Sequence, residues 1–207
     1  MSEAPLRFGA VILAAGESRR MGSPKALVEI GGRTLIALAA EAALASPAWP
    51  VVVVLGAHAE QIRPSLAQLP VLAIENPAWP EGMASSIRAG IATLRQFSRS
   101  LNGALVALCD QPAFSPAIIA RLVAEQRATG RGIAAARYGG RCGAPALFMK
   151  EHFQALAELT GEAGARLLLN DDPARVAAVD LPELAADLDT PEDVLKFGIR
   201  KAESGNT

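Results

Sequence analysis

Short apolar runs alternate with amphipathic stretches along this chain. Ala10-Val11-Ile12-Leu13 is continuous apolar sequence without a polar face, the pattern of a strand buried on both sides. Val51 to Leu55, Val71 to Ile74 and Ala104 to Leu108 repeat it, the first ended by Gly56 and the last by Cys109-Asp110. Between these runs the spacing predicts helices over Thr34–Ser46, about Ala59–Gln68 and Ser85–Phe97. A further helix runs from Ser115 to Gln126, with Ser115 as N-cap and Pro116 at the first helical position. The second half is less regular. Strands are expected at Gly132–Arg137 and Ala144–Met149, joined by Tyr138 to Gly143, and at Arg175–Val179. Helices are expected near Glu151–Leu159 and Gly164–Leu169, and a last one from Pro191, with Thr190 as N-cap and Asp193 as the capping-box acid. Strand–helix alternation of this kind predicts a single-domain α/β fold, Rossmann-like, with a doubly wound and mostly parallel sheet. No linker, repeat or low-complexity tract divides residues 1–207; the core is expected at about 8–200, with a frayed tail from about 203.

Composition narrows the function without naming it. The apolar fraction of 51% is ample for one substantial core. The 20 basic and 21 acidic residues nearly cancel, so neither nucleic acid nor a membrane surface is an expected partner. No apolar run reaches the ~18 residues of a membrane span, and no secretory leader is visible at Met1 to Pro5. Cys109 and Cys142 are far apart, and with only two histidines the chain is poor in zinc ligands. The expected setting is a reduced cytoplasm.

Chemistry concentrates in one turn. After the first strand, Leu13-Ala14-Ala15-Gly16-Glu17-Ser18-Arg19-Arg20-Met21-Gly22-Ser23-Pro24-Lys25 combines small residues with two arginines and a lysine. Small residues let backbone N–H groups approach an anion, so the turn reads as a polyphosphate holder at the C-terminal edge of a sheet. An ordinary glycine turn would not gather three cations in one place. It is neither a dinucleotide fingerprint nor a Walker A loop, because Gly16 and Gly22 stand apart and Lys25 follows Pro24. Asp110, just past an apolar strand, is a candidate ligand for a hard cation or a helix-capping residue.

The loop resembles the signature Leu-x-(Ala/Gly)-Gly-x-Ser-x-Arg-Met-Gly-x-x-Lys of the MobA-like nucleotidyltransferases, within the sugar-nucleotide pyrophosphorylase superfamily. Ala14-Ala15-Gly16 is similar to the cytidylyltransferase branch, which acts on the molybdenum cofactor, rather than to the Leu-Ala-Gly-Gly of guanylyltransferases. The resemblance extends from Leu13 to Asp193. It implies transfer of CMP from CTP to molybdopterin phosphate with release of pyrophosphate, giving a cytosine dinucleotide. In that reading Leu13, Ala14, Ala15, Gly16 and Ser18 cradle the nucleotide, Arg20 serves the leaving β- and γ-phosphates, and Lys25 serves the α-phosphate. Asp110 in its Asp-x-Pro context holds Mg²⁺ or Mn²⁺ together with Asp187 or Asp189 of Asp187-Leu188-Asp189-Thr190-Pro191-Glu192-Asp193, with a lean toward Asp187. The segment Asn76 to Ile87 resembles an Asn-x-x-Trp-x-x-Gly-Met-x-x-Ser motif, which makes Asn76, Gly82 and Ser85 or Ser86 candidates for nucleotide or pterin contact. Arg166 is a candidate for acceptor phosphate. Two departures fall in the acceptor half: Gly143-Ala144-Pro145 stands where the family often has Gly-His-Pro, and Gly161-Glu162 where it often has Gly-Asp. Rival readings are a GTP-dependent enzyme, a transferase for a sugar or other phosphate, and a non-catalytic cofactor carrier. A molybdoenzyme or its maturation chaperone would be the protein partner.

Overall fold

The computed structural model describes residues 6–18, 22–170 and 173–185. Arg20, Asp187, Asp189 and the helix expected from Pro191 lie outside the described residues.

The first apolar run forms β1 (Phe8–Ala14), and all seven of its residues are buried. Its neighbours are β4 (Val51–Leu55), β5 (Leu72–Glu75) and β6 (Gly103–Leu108). Two short strands, β2 (Glu29–Ile30) and β3 (Arg33–Thr34), pair across Gly31-Gly32 before α1 (Leu35–Leu44). They are too short for periodicity to register. Thr34 caps α1, its hydroxyl accepting from the Ala37 amide. The helix expected after β4 is α2 (Ala59–Ile62), which tightens into a 3₁₀ turn over Arg63–Leu66. Pro64 explains the change, since it removes an N–H donor from the ladder.

Helix α3 (Met83–Phe97) precedes β6, and α4 (Pro116–Thr129) follows it. Strand β7 (Ile133–Tyr138) has the expected length, shifted by one residue, and β8 (Arg141–Met149) begins three residues earlier than its apolar core suggested. Gly139 and Gly140 both have positive φ and close a two-residue hairpin, so the ladder continues through the polar Arg137–Cys142 and Tyr138–Arg141 pairs. Short helices α5 (Phe153–Ala157) and α6 (Arg166–Asn170) lead to β9 (Val176–Asp180).

The seven long strands form one sheet in the order β5-β4-β1-β6-β8-β7-β9. All neighbouring pairs are parallel except those made by β8, which runs against both β6 and β7. Alternate side chains serve two cores. Ala10, Ile12, Val53, Leu55 and Leu105 pack with residues of α1 and α4. Val11, Leu13, Val52, Val54 and Val106 pack with Ile87, Ile91 and Leu94 of α3 and with Phe153 and Leu156 of α5. Both faces being covered explains why these strands lack a polar face. From β1 the chain moves outward to β4 and β5, then returns to lay β6 on the other side of β1. That reversal opens a crevice beyond the C-terminal ends of β1 and β6, the place where open α/β sheets receive ligands.

Candidate active site

A cleft of about 550 Å³ occupies this crevice. The loop leaving β1 forms one wall, with Ala14, Ala15, Gly16, Glu17 and Ser18 among the lining residues. Ser18 has φ 55°, a left-handed conformation that costs a non-glycine residue on the order of 1 kcal/mol. Its hydroxyl accepts from the Lys25 amide at 3.0 Å, which folds the loop back so that Lys25 returns to the cleft. Three contacts from the turn after β4 steady the same loop. Ala57 N donates to Ala15 O at 3.3 Å, and His58 Nε2 lies 3.0 Å from Glu17 O. Gly56 packs so closely on Ala15 that a Cβ there would lie 2.6 Å from the Ala15 carbonyl oxygen. His58 carried no functional expectation from sequence; its role is legible only once the turn is seen against the loop.

The opposite wall comes from the end of β6. Cys109 N donates to Leu13 O at 3.2 Å, which carries the β1–β6 pairing to the edge of the site and sets Asp110 beside it. Lys25 Nζ and Asp110 Oδ2 are 3.7 Å apart, their side chains 18% and 25% exposed. Lys25 and Asp110, distant in sequence, are thus brought together as a half-buried pair of opposite charges facing solvent in a cleft. The Cys109 thiol is buried, and burial followed by the Asp110 charge raises its pKa far above the ordinary thiol range. It is a packing group and not a nucleophile.

The third wall is the 3₁₀ turn Trp79–Glu81 and the start of α3, where Gly82, Met83 and Ser86 line the cleft. Gly82 has φ 101°, and a Cβ on it would strike the Gly161 carbonyl group at 2.8 Å, so only glycine lets the 161–162 loop dock here. That docking brings Glu162 to the cleft wall, and Ala84 N donates to Gly161 O at 3.2 Å. Asn76 and Ser85 are buried and are not among the lining residues. Asn76 Oδ1 accepts from Ala78 N at 3.0 Å, which orients the amide; its Nδ2 donates to Ser85 Oγ at 2.9 Å and Ser86 Oγ at 3.1 Å. Ser85 Oγ donates onward to Gly82 O at 2.8 Å. Asn76 and Ser85 therefore hold the turn, and of the two serines Ser86 faces the cleft. Arg166 lies apart from this cleft, beside a second and smaller cavity.

Among the described residues no three His, Cys, Asp or Glu side chains meet as a preformed metal cluster. Asp110 nevertheless offers a partly exposed carboxylate in a cleft walled by backbone amides and a lysine. One or two carboxylates completed by phosphate oxygens and water is how Mg²⁺ is usually bound, so the donor set fits a hard divalent ion.

Comparison with known proteins agrees with this geometry. Residues 10–179 match the MobA-like NTP transferase domain. A protein of Paenarthrobacter nicotinovorans named nicotine blue oxidoreductase is 36% identical, over 90% of this chain and 94% of its own. A molybdenum cofactor guanylyltransferase of Sinorhizobium fredii is 35% identical, over 56% of this chain and 51% of its own. Among solved structures, a Mycobacterium tuberculosis protein in complex with manganese superposes with a TM-score of 0.72 at 26% identity, covering 92% of this chain and 97% of that one. The chain belongs to the MobA-like NTP transferase family. No helix among the described residues is long and apolar enough to cross a membrane.

Proposed function

We propose that this nucleotidyltransferase moves CMP from CTP to the terminal phosphate of the molybdenum cofactor and releases pyrophosphate. The observation that carries the reading is the Lys25–Asp110 pair, 3.7 Å apart at the mouth of a small-residue loop beyond β1 and β6. Phosphoryl-type transfer needs little covalent help; it needs an in-line approach and neutralisation of charge on the α-phosphate and leaving group.

Backbone amides around Ala15, Gly16 and Ser18 would cradle the triphosphate, and Gly16 leaves open space above the loop for it. Lys25 would neutralise the α-phosphate and the incoming phosphate oxygens. Arg20 takes the leaving β- and γ-phosphates by family resemblance. Asp110, with Asp187 or Asp189, would hold Mg²⁺ or Mn²⁺, which supplies further charge neutralisation when bound. The manganese complex of the mycobacterial relative supports a divalent ion.

Two features bear on the choice of base. Ala15 places a methyl group on the cleft wall where a glycine would leave room. Ser86 Oγ already accepts from Asn76, so its proton is left to donate. A donor at that point can serve O2 or N3 of cytosine and equally O6 or N7 of guanine, so the preference for the smaller base rests on Ala15.

The test is pyrophosphate release from CTP, GTP, ATP and UTP with Mg²⁺, with and without molybdopterin. Release confined to CTP plus the pterin is expected. Release with GTP would move the chain to the guanylyltransferase branch, and pterin binding without turnover of any nucleotide would make it a carrier. The name of the Paenarthrobacter relative adds one control: turnover of nicotine blue, followed by absorbance, would count against nucleotidyl transfer as the principal activity.

A further inference from the structure

Strand β8 parts from β6 before β6 ends. Their ladder stops at the Val106–Ala146 pair, and Ala144 and Pro145 bulge out of the pairing between β8 and β7. A bulge suits proline, which has no N–H to give a ladder. The Ala144 carbonyl instead accepts from two side chains, Gln111 Nε2 at 3.0 Å and Tyr138 Oη at 2.8 Å. Gln111 Nε2 also donates to Tyr138 Oη at 2.9 Å, which closes a triangle of hydrogen bonds. Tyr138 sits so close to Gly143 that a Cβ there would lie 2.8 Å from its hydroxyl. The amide of Gln111 has one workable orientation, because the flipped one would set Oε1 against Ala144 O. In that orientation Oε1 is buried without a hydrogen-bond partner, on a side chain 3% exposed. A buried acceptor left unpaired gives up its water and gains nothing in exchange. An apolar side chain of the same length would avoid that penalty, so stability alone does not account for an amide at this position.

We infer that Gln111 is a positioning residue: its amide ties the end of β6 to the β7–β8 hairpin and so holds the Asp110 carboxylate opposite Lys25, a role that rests on the nucleotidyl-transfer reading of that carboxylate. Asp110 stands between two anchored neighbours. On the β1 side, the Leu13–Leu108 pair and the bond from Cys109 N to Leu13 O fix the residue before it. On the β8 side the ladder has already ended, and the Gln111 side chain supplies the missing tie. The bond from Phe114 N to Gln111 O, at 3.0 Å, closes a turn within the same segment and does not reach the sheet. Gln111 is absent from the lining of the cleft, whereas Asp110 belongs to it, so Gln111 acts through the main chain of Asp110 and not on a ligand.

Gln111→Met in the full chain is the test. It keeps the side-chain length, removes the amide and the unpaired Oε1, and leaves Ala144 O with the Tyr138 hydroxyl as partner. The urea midpoint should therefore equal or exceed that of wild type. CTP affinity is measured by titration calorimetry with and without Mn²⁺, and kcat with saturating Mn²⁺. Support behind a metal ligand is worth roughly 10- to 100-fold, so the gain in CTP affinity that Mn²⁺ gives should shrink by about tenfold or more, and kcat should fall by a comparable factor, while metal-free CTP affinity stays within about threefold of wild type. Tyr138→Phe keeps the bond from Gln111 to Ala144 and should retain the Mn²⁺ gain, whereas general loosening of the hairpin would impair both variants alike. An unchanged Mn²⁺ gain in Gln111→Met overturns the assignment. So does a lowered urea midpoint with metal-free affinity falling by the same factor, or a wild-type chain whose CTP binding gains nothing from Mn²⁺. A Mn²⁺ gain that Gln111→Met reduces, in a chain that turns over no nucleotide, keeps the role of Gln111 and removes the nucleotidyl-transfer reading.

Discussion

Gly56→Ala puts the support of the phosphate loop to a quantitative test. A Cβ at position 56 would lie 2.6 Å from the Ala15 carbonyl oxygen, 2.8 Å from Ala15 Cβ and 2.8 Å from Trp79 Cβ. None of these atoms sits at the end of a flexible side chain, so none can rotate away. Reaching ordinary contact at 3.4 Å requires the carbonyl oxygen to move about 0.8 Å, because 3.4 minus 2.6 leaves that difference. The displacement pulls on the Ala57–Ala15 hydrogen bond and on the His58–Glu17 contact, the two ties that hold the loop. Overpacking of this kind costs roughly 1–3 kcal/mol, and misplacement of a reacting group by about 1 Å costs on the order of a hundredfold in rate. The expected result is a loss of about 2 kcal/mol in urea unfolding and a fall of about 30- to 100-fold in kcat/KM for CTP. Gly16→Ala is the contrast: nothing lies within 4 Å of its Cβ, so stability should stay near wild type while KM for CTP rises as the methyl group meets the triphosphate. If Gly56→Ala unfolds at the wild-type urea concentration and turns over within threefold of wild type, the turn after β4 does not position the loop.

Lys25→Ala and Asp110→Ala should each lower kcat by roughly 10²–10³ while leaving far-UV circular dichroism unchanged, as expected for groups that meet charge developing in the transition state; wild-type kcat in either variant removes its assigned role. Ala15→Gly should shift the CTP:GTP ratio of kcat/KM toward GTP, and an unchanged ratio would count against the methyl group as a base filter. Asn76→Ala strips the Ser85, Ser86 and Ala78 hydrogen bonds at a site 4% exposed, so a loss of about 1–3 kcal/mol is expected, together with weaker CTP binding; a variant as stable as wild type refutes the clamp. His152 has its pKa lowered below the ordinary 6.5, chiefly by burial, so the unfolded chain takes up a proton more readily than the folded one. Its penalty is absent above about pH 6.5 and grows as pH falls through that value; the midpoint of His152→Gln should therefore decline less between pH 7 and 5.5, as read by urea unfolding at each pH.

Strands β1, β4 and β6 were legible because burial on both faces writes them as unbroken apolar runs, and their parallel arrangement follows from the strand–helix alternation, whereas the strand order is seen only in the fold. The β7–β8 hairpin was only half legible. Its outer end carries Tyr138, Arg141 and Cys142, which read as a polar connection, and the ladder there is sustained by a two-residue turn rather than by apolar pairing. The same blindness hid β2 and β3, two residues each, although the Gly31-Gly32 pair that turns between them was in view.

The site divides along a similar line. Backbone phosphate chemistry requires small residues in consecutive positions, so Ala14 to Ser18 announce themselves locally, and Asp110 follows from the rule that strand ends carry function. Asn76 and Ser85 belong to a readable motif, but motif membership does not separate a residue that touches a ligand from one that holds the turn behind it. That distinction appears only in the hydrogen bonds, where Asn76 spends both amide protons on serines and leaves Ser86 facing the cleft. The smaller cavity is harder still. It is a volume enclosed by β1, α3, β6, β7, β8, α6 and the loop before α6, and each contributes residues that are unremarkable in their own segment. Ala144 and Glu162 read as departures from a family pattern when taken singly. In the fold, Ala144 helps to open an apolar space, while Glu162 is pressed against Gly82 at the nucleotide wall. The loop after β1 is built mainly from small residues and backbone and is written in contiguous sequence. The smaller cavity is built from the absence of side-chain bulk at scattered positions, and an absence has no motif.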